Sequence, residues 1–502
     1  MAAVLSFILG RRMLLILLSI AALLFIVSLW HRYPYIDDCW FGEQAYWLSK
    51  DGIVKTASIH AGLGWEQRLF VYHKLNIWIG ALIVYMAGWS LYYLKTFTLL
   101  IYLFFFYLLF RYFKLHQYQG IDKKLLLTSF LVFANPLMFI YGFTYRPEIL
   151  VMTLGFSSFL MLEKARLNNS GSHILMMTAG IAAGAALLAH LNGMIFAAAG
   201  FIYLIIYRKY RYIPVFLVSF TITASFYFIE LIPAGNFQLF LAQMNHWPDN
   251  IQGNYGQHNS PLAAVLSKLL NEHQRFFWSD KVAIFSGLFF FSVIVSFRYL
   301  IKEHRPIIIY TGLLILLLNL LGSQIAERYL IYYLPMMAII IAVSILNMLE
   351  TKQYKTLIFA MLLVTFQIVI LTRHWHEIML RNSDITFINQ QINENIPIGH
   401  GPVMAPYSFI YNEIENRPIL TYHSLEYFEA AEKRKLTGTE ALKRCAELGV
   451  DYIVVDKDLE NDKDKYPWFE PAIRGNDLNY SILKTVNGYL ILSRKNADRS
   501  EY

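Results

Sequence analysis

Long apolar segments separated by short polar loops recur from the N-terminus to about residue 371. A helix needs about 17–25 mostly apolar residues to cross the hydrocarbon core of a bilayer. The pattern therefore predicts an α-helical polytopic membrane protein with about eleven transmembrane helices. The apolar run 77–87 is short for a crossing, and we interpret it as a juxtamembrane or re-entrant helix. The predicted spans are residues 14–30, 91–110, 125–141, 149–162, 174–189, 194–207, 213–232, 282–297, 307–321, 329–349 and 357–371.

Composition and the placement of basic residues agree with a membrane protein of fixed orientation. Of the 502 residues, 57% are hydrophobic and 16% are charged, whereas a soluble domain carries about 25% charged residues. Lys and Arg cluster in alternate loops, starting with Arg11 and Arg12, and such loops stay in the cytoplasm. We therefore expect a cytoplasmic N-terminus, an extracytoplasmic C-terminus and, for so compact a chain, a bacterial inner membrane. The net charge of +8 arises from these loops and does not indicate a nucleic-acid partner.

The chain becomes polar after residue 373, which we take as the boundary between a membrane domain, 1–373, and an extracytoplasmic α/β domain, 374–502. The second domain shows no nucleophile elbow, phosphate-binding loop or metal-ligand spacing. We interpret it as a lid or a scaffold. Its predicted elements are an amphipathic helix at 438–448, a buried strand at 451–455 and a hairpin with strands at 480–483 and 488–492.

Two long loops lie on the predicted outer side of the membrane domain, at residues 31–76 and 233–281. Long ordered loops are commonly functional. Because the second loop carries Trp247-Pro248-Asp249-Asn250 and lies on the side of the predicted site, we expect it to gate access of an acceptor.

Ionisable residues of the membrane domain concentrate on the predicted outer side. Asp37 and Asp38 follow the first span directly, and two carboxylates against an apolar wall cost free energy unless they are paired or do chemistry. A single such residue usually snorkels to the interface or has a structural role. Groups from five separate outer segments together indicate a site at the outer membrane face. The other members are Glu43, Lys95, Arg146, Glu148, His190, Asn192, Glu327 and Arg328.

These residue types suit an anionic lipid headgroup and a hydroxyl that is to be deprotonated. Lys95 and Arg328 would clamp a phosphate, the arginine in bidentate fashion. One aspartate would take the proton of the acceptor as general base. The cations would then stabilise the negative charge that grows on a leaving phosphate.

Five short motifs follow one another along the chain. They are Asp37-Asp38 followed by Trp40, Gly42, Glu43 and Ala45; His73 to Trp78, through Gly88; Lys95; Arg146-Pro147-Glu148; and Arg328-Tyr329 through Pro335. In this order they resemble the motifs of the C-type (GT-C) glycosyltransferases, which use polyprenyl-phosphate sugars and include the protein O-mannosyltransferases and the lipid A aminoarabinose transferase. Two departures are a second Asp where the family's first motif has Glu, and the absence of the proline pair from the second motif.

The resemblance implies a GT-C-like fold and inverting transfer of a sugar from a polyprenyl-phosphate donor to a lipid, glycan or protein acceptor outside the cytoplasm. It implies that Asp37, or else Asp38, is the base and that Glu148, held by Arg146, orients the base or the acceptor. The implied donor contacts are Lys95, Arg146 and Arg328 at the phosphate and Tyr332 and Tyr333 near the isoprenoid; the implied sugar or acceptor contacts are Glu43, Lys74, His190 and Asn192.

Three alternatives stay open at the level of sequence. Members of the wider superfamily differ in their need for a divalent metal. Candidate ligands for such a metal are Asp37, Asp38, Glu148 and His190. We favour a site without metal. A transporter or flippase would instead place charges near the midplane and show internal repeats, and neither is apparent. An O-antigen-type ligase or polymerase would carry its site in a late loop.

Overall fold

The computed structural model describes residues 2–32, 36–60, 63–116, 120–168, 172–233, 235–245, 261–322, 325–380, 385–397, 401–456 and 467–495. The described chain is helical as far as Leu380, and a part with both helices and β-strands follows. The helices are α1 (Ala2–Ile8), α2 (Arg11–Ser28), α3 (Ile36–Asp51), α4 (Lys74–Ala87), α5 (Leu91–Leu115), α6 (Ile121–Phe133), α7 (Pro136–Tyr141), α8 (Pro147–Leu167), α9 (Ser172–Ala189), α10 (Met194–Ile206), α11 (Ile213–Ser225), α12 (Asn236–Asn245), α13 (Pro261–Asn271), α14 (His273–Phe277), α15 (Asp280–Val295), α16 (Phe297–Glu303), α17 (Arg305–Leu321), α18 (Leu334–Glu350), α19 (Tyr354–Leu380), α20 (Ile385–Glu394), α21 (Tyr407–Glu413), α22 (His423–Glu432), α23 (Gly438–Glu447) and α24 (Glu470–Ile473).

Five helical segments of the described chain are long and apolar enough to cross a membrane, and two bent helix pairs raise the number to seven. The exact number of eleven spans therefore stays a prediction. Part of the difference comes from length, because α10 and α18 have 13 and 17 residues and fall short of an 18-residue span. The segments are Arg11–His31, Leu91–Leu115, Ser172–Ala189, Tyr210–Leu231 and Tyr354–Glu394; the pairs are Leu266–Phe277 with Asp280–Val295 and Phe297–Glu303 with Arg305–Leu321.

Residues 125–141 and 329–349 are two of the predicted spans that are not continuous α-helices. Residues 125–141 divide into α6 and α7, because the Asn135 side chain accepts hydrogen bonds from the N–H groups of Leu137 and Met138 and so starts a new helix. Pro136 at the first position of α7 has no N–H to donate to α6. Residues 329–349 begin with a 3₁₀ turn, Glu327–Tyr332, before α18 starts. Each break places polar side chains at a helix start, Asn135 at the first break and Glu327 and Arg328 at the second.

Helices occupy part of both predicted outer loops. The first loop contains α3 and leads to α4, whose 14 residues are followed by Gly88 with a φ of +83°. Only glycine adopts this conformation without strain, so the chain turns sharply before α5. The second loop contains α12, α13 and α14. Residues 247–250, which we expect in a gate for the acceptor, lie outside the described residues.

The C-terminal part is a small α/β unit with a five-stranded mixed sheet. The predicted boundary at 373 lies inside α19, which continues to Leu380. The amphipathic helix at 438–448 is confirmed as α23, which starts with a capping box of Thr437 and Glu440. The predicted strands are also confirmed, and Asn487 and Gly488, both with positive φ, form the hairpin turn. The strands are β1 (Val403–Ala405), β2 (Ile419–Thr421), β3 (Tyr452–Val455), β4 (Tyr480–Val486) and β5 (Tyr489–Arg494). Their order across the sheet is β2-β1-β3-β5-β4.

One apolar cluster contains residues from both α3 and the C-terminal unit. Cys39, Phe41 and Tyr46 of α3 share it with Tyr407 of α21 and Val454 of β3. The C-terminal unit is therefore packed directly on the helix that carries the two aspartates. The two cysteines are both free and buried, Cys39 in this cluster and Cys445 in the core of the C-terminal unit.

Candidate active site

Asp37 and Asp38 lie in the first turn of α3, where carboxylates are favoured because the amide N–H groups point toward them. Successive residues of a helix point about 100° apart, and the two side chains accordingly enter different surroundings. The Asp37 side chain is 25% exposed, whereas that of Asp38 is 1% exposed. Only Asp37 is open to a ligand in this arrangement.

Asp38 is bound on its enclosed side by α5 and by the turn before α8. The ammonium Nζ of Lys95 lies 3.5 Å from Asp38 Oδ2, and the backbone N–H of Tyr145 donates to Asp38 Oδ1. The Lys95 side chain is itself only 3% exposed. The structure therefore places Lys95, which the sequence assigned to a donor phosphate, against Asp38.

Arg146 joins Asp37 to a second, fully enclosed carboxylate. Its Nη1 is paired with Asp37 Oδ2, while Nη2 and Nε donate to the two oxygens of Glu148 at 2.8 and 3.1 Å. The expected contact between Arg146 and Glu148 is thus confirmed. Its geometry follows from the extended backbone of Arg146 and from Pro147 at the first position of α8, which turns both side chains to one side of the helix start.

Arg328 completes this chain of charges. Its Nε lies 3.6 Å from Glu148 Oε1, and its side chain is 31% exposed. Asp37, Arg146, Glu148 and Arg328, from three separate predicted outer segments, are therefore brought together as an alternating series of anions and cations. We call these four residues the charge chain. Its two ends, Asp37 and Arg328, are the partly exposed members.

Two stacked imidazoles lie beside the charge chain. The rings of His73 and His190 are 4.6 Å apart and nearly parallel, and the His190 ring also contacts Tyr329 and Tyr332. Burial lowers the pKa of His73 to about 4 and that of His190 well below its usual value. The His190 Nδ1 accepts the N–H of Asn192 at 3.0 Å. A neutral His190 therefore carries its proton on Nε2, where it acts as a hydrogen-bond donor.

Three sequence-assigned residues have partners elsewhere. Lys74 Nζ is 2.7 Å from Glu230 Oε2 and 3.7 Å from the centre of the Tyr72 ring. Glu43 is turned toward Ser58, with which it forms two hydrogen bonds. The ring of Tyr333 lies near that of Phe276, 6.1 Å between centres.

Sequence reasoning assigned no role to His73, Glu230 or Ser58. Glu230 gave one signal, because it is the single acid within the apolar run 213–232. His73 belongs to a quoted motif, but nothing in the local sequence indicates its stacking partner 117 residues away. In the described part of the chain, no group of three or more His, Cys, Asp or Glu residues is arranged to hold a metal ion.

Comparison with known proteins identifies the fold. No family model and no curated protein sequence matches the chain. The structure of ArnT from Cupriavidus metallidurans bound to undecaprenyl phosphate matches with a TM-score of 0.62 at 11% identity, over 96% of this chain and 98% of that one. The Archaeoglobus fulgidus oligosaccharyltransferase in complex with Zn and sulfate matches with a TM-score of 0.53 at 14% identity, over 96% and 73%. A third, the archaeal oligosaccharyltransferase AglB from the same organism in complex with an inhibitory peptide and a dolichol-phosphate, has a TM-score of 0.52 at 14% identity, over 90% and 70%. The chain has the GT-C fold.

Proposed function

We propose that this protein is an integral-membrane glycosyltransferase that moves a sugar from a polyprenyl-phosphate donor to an acceptor, with inversion at the anomeric carbon. The observation that carries the proposal is the charge chain, which presents a partly exposed carboxylate and a partly exposed guanidinium at the ends of one buried network. A fold shared with ArnT bound to undecaprenyl phosphate and with an oligosaccharyltransferase bound to dolichol-phosphate supports the lipid-phosphate donor.

In the proposed reaction Asp37 is the general base. The acceptor hydroxyl passes its proton to the Asp37 carboxylate while its oxygen forms a bond to the anomeric carbon. The bond between that carbon and the phosphate oxygen breaks, and its electron pair stays on the departing polyprenyl phosphate. Arg146 is paired with Asp37 and holds its carboxylate in position before the reaction.

Arg328 is the proposed contact to the donor phosphate. It is partly exposed, and a guanidinium can bind two phosphate oxygens at once. It would stabilise the charge that develops on the leaving phosphate. Lys95 is enclosed with Asp38, so we assign it to neutralising that carboxylate, which fixes the first turn of α3.

The remaining contacts follow from exposure and donor chemistry. We assign His190, through its Nε2–H, and Asn192 to hydroxyls of the sugar or acceptor. Lys74 is enclosed and holds Glu230, whose partly exposed carboxylate we place on the acceptor side. Tyr332 and Tyr333 are fully enclosed, so in this proposal they pack behind the donor pocket instead of touching the isoprenoid. We propose these roles without a metal ion, and the EDTA arm of the experiment below tests that choice.

The proposed orientation places the site and the C-terminal unit outside the cytoplasm and the N-terminus inside, as in a bacterial inner-membrane enzyme. Two features support it. The C-terminal unit packs on α3, so both lie on the same side of the membrane domain. Arg11 near the N-terminus pairs with Asp122 at the start of α6, in a loop rich in lysine that the positive-inside rule assigns to the cytoplasm.

The test is a panel of polyprenyl-phosphate sugars, labelled in the sugar, offered to purified protein in nanodiscs together with lipid, glycan and peptide acceptors, with and without EDTA. The expected result is transfer of one sugar by the wild type and its loss in Asp37→Asn with donor binding retained. Transport of intact labelled lipid across vesicles without cleavage of the sugar–phosphate bond would contradict the proposal and favour a flippase. Equal turnover by Asp37→Asn and wild type would refute the assigned base.

A further inference from the structure

Ser58 is bonded on one side to α3 and on the other to the C-terminal unit. Its backbone N–H donates to Glu43 Oε1 at 2.9 Å, and its hydroxyl donates to Glu43 Oε2 at 2.5 Å. Its carbonyl oxygen accepts the backbone N–H of Thr421 at 2.8 Å and the hydroxyl of Ser424 at 3.3 Å. Thus one residue of the first loop joins the helix of the two aspartates to strand β2 and helix α22.

The Glu43 carboxylate is a strong anchor because it is enclosed and fully bonded. Its residue is 2% exposed, and Trp47 Nε1–H gives it a third hydrogen bond at 3.2 Å. A buried carboxylate that loses its donors costs considerable free energy. The arrangement therefore favours one rotation of α3, the rotation at which Glu43 faces Ser58.

Glu43 and Asp38 fix this helix from different sides. Five residues separate them, which corresponds to about 140° around the helix axis. Lys95 and Tyr145 bind the Asp38 side, and Ser58 binds the Glu43 side. With both sides held, the remaining direction for Asp37 is toward Arg146.

We propose that Ser58 and Glu43 are positioning residues through which the C-terminal unit holds α3, and with it Asp37, in the orientation needed for proton transfer. This inference rests on the proposed function of Asp37. It assigns to the C-terminal unit a scaffold role in catalysis, and it gives Glu43 a role other than binding sugar. Small misplacement of a reacting group is enough to lower the rate, by about 100-fold for 1 Å.

The test compares Ser58→Ala, which removes the hydroxyl donor, with Ser58→Thr, which keeps it. Ser424→Ala weakens the attachment from the C-terminal side, because it removes the hydroxyl that donates to the Ser58 carbonyl at 3.3 Å and accepts the backbone N–H of His60 at 3.1 Å. The backbone hydrogen bond from Thr421 to Ser58 stays in place. Thr437→Ala is the matched control, since it removes the capping box of α23 and weakens the C-terminal unit away from Ser58. Two quantities are measured in each full-length variant: the kinetic constants for the donor, and hydrogen exchange of the α3 amides.

For Ser58→Ala and Ser424→Ala we expect kcat to fall about 10- to 100-fold, an unchanged KM for the donor and faster exchange in α3. Ser58→Thr should restore both, and Thr437→Ala should change neither. Wild-type kcat in Ser58→Ala, or a loss of kcat with unchanged α3 exchange, would overturn the inference. If the wild type transfers no sugar, the proposed function fails and with it the role of Asp37, while the exchange data alone decide whether Ser58 couples the two parts.

Discussion

Arg146 and Glu148, two residues apart in sequence, form a bidentate ion pair that is almost completely enclosed. The third nitrogen of the same guanidinium is paired with Asp37. A planar guanidinium that binds one carboxylate with two N–H donors still has a donor for a second carboxylate. The ammonium group of a lysine would not hold two carboxylates in such a fixed geometry. In the proposed mechanism Glu148, which is fully enclosed, orients the Asp37 base through Arg146.

Replacement of Asp37 by Asn tests the base directly. The amide keeps the size of the side chain and cannot accept the proton of an acceptor, so we expect kcat to fall by at least about 100-fold. Donor affinity should stay within about twofold, since Arg328 is untouched. The measurement is single-turnover sugar transfer together with equilibrium binding of the labelled donor. A variant that transfers at the wild-type rate would remove Asp37 from the mechanism.

Asp38→Asn should act mainly on stability. It leaves the enclosed Lys95 without its 3.5 Å partner, and removing one member of a buried ion pair costs about 3–5 kcal/mol. The double variant Asp38→Asn/Lys95→Met should recover most of this loss, because it leaves no unpaired buried charge. Thermal unfolding in a fixed detergent measures both. No recovery in the double variant would show that Asp38 acts through something other than Lys95.

Much of the architecture was predictable because local sequence encodes it. Apolar run lengths predicted helices, and the short apolar segments at 480–483 and 488–492 predicted the hairpin, whose turn consists of Asn487 and Gly488. The break at Asn135 was missed because an apolar run hides a single capping residue. The partners of charged residues were also missed, except for Arg146 and Glu148, which are sequence neighbours. Lys74 and Glu230 lie 156 residues apart, so only the folded chain shows that they are paired.

The same limit explains the revised roles of three candidates. From sequence, Lys95, Glu43 and Asp38 were ionisable groups on one predicted side of the membrane. Folding encloses all three, with Lys95 paired to Asp38 and Glu43 bonded to Ser58. Asp37 and Arg328 differ from these three residues because their side chains are partly exposed. Exposure depends on packing between distant segments, so the local sequence does not predict it.

Arg328→Gln should weaken the interaction with the donor phosphate. Loss of a charge-assisted contact costs about 1.5–3 kcal/mol, which corresponds to an increase of about 10- to 100-fold in KM for the donor. Arg328→Lys should recover only part of the affinity, because an ammonium lacks the planar pair of donors. Lys302→Gln, at an exposed residue of α16, is the matched control. Equal KM values for Arg328→Gln and the control would contradict the assignment.

The stacked pair of His73 and His190 predicts a specific loss of stability in acid. Burial holds the pKa of His73 at about 4 in the folded protein, below the usual value of 6.5. The unfolded chain therefore binds more protons between these values, and stability falls as pH decreases from about 6.5 toward 4. His73→Phe keeps a ring against His190 and Phe41, so it should flatten this part of the pH profile. Replacing the exposed His376 by Phe is the control and should leave the slope as in wild type. The measurement is the unfolding temperature between about pH 4.5 and 7.5, a range that includes the usual pKa of histidine. Parallel profiles for wild type and His73→Phe would contradict the burial of His73.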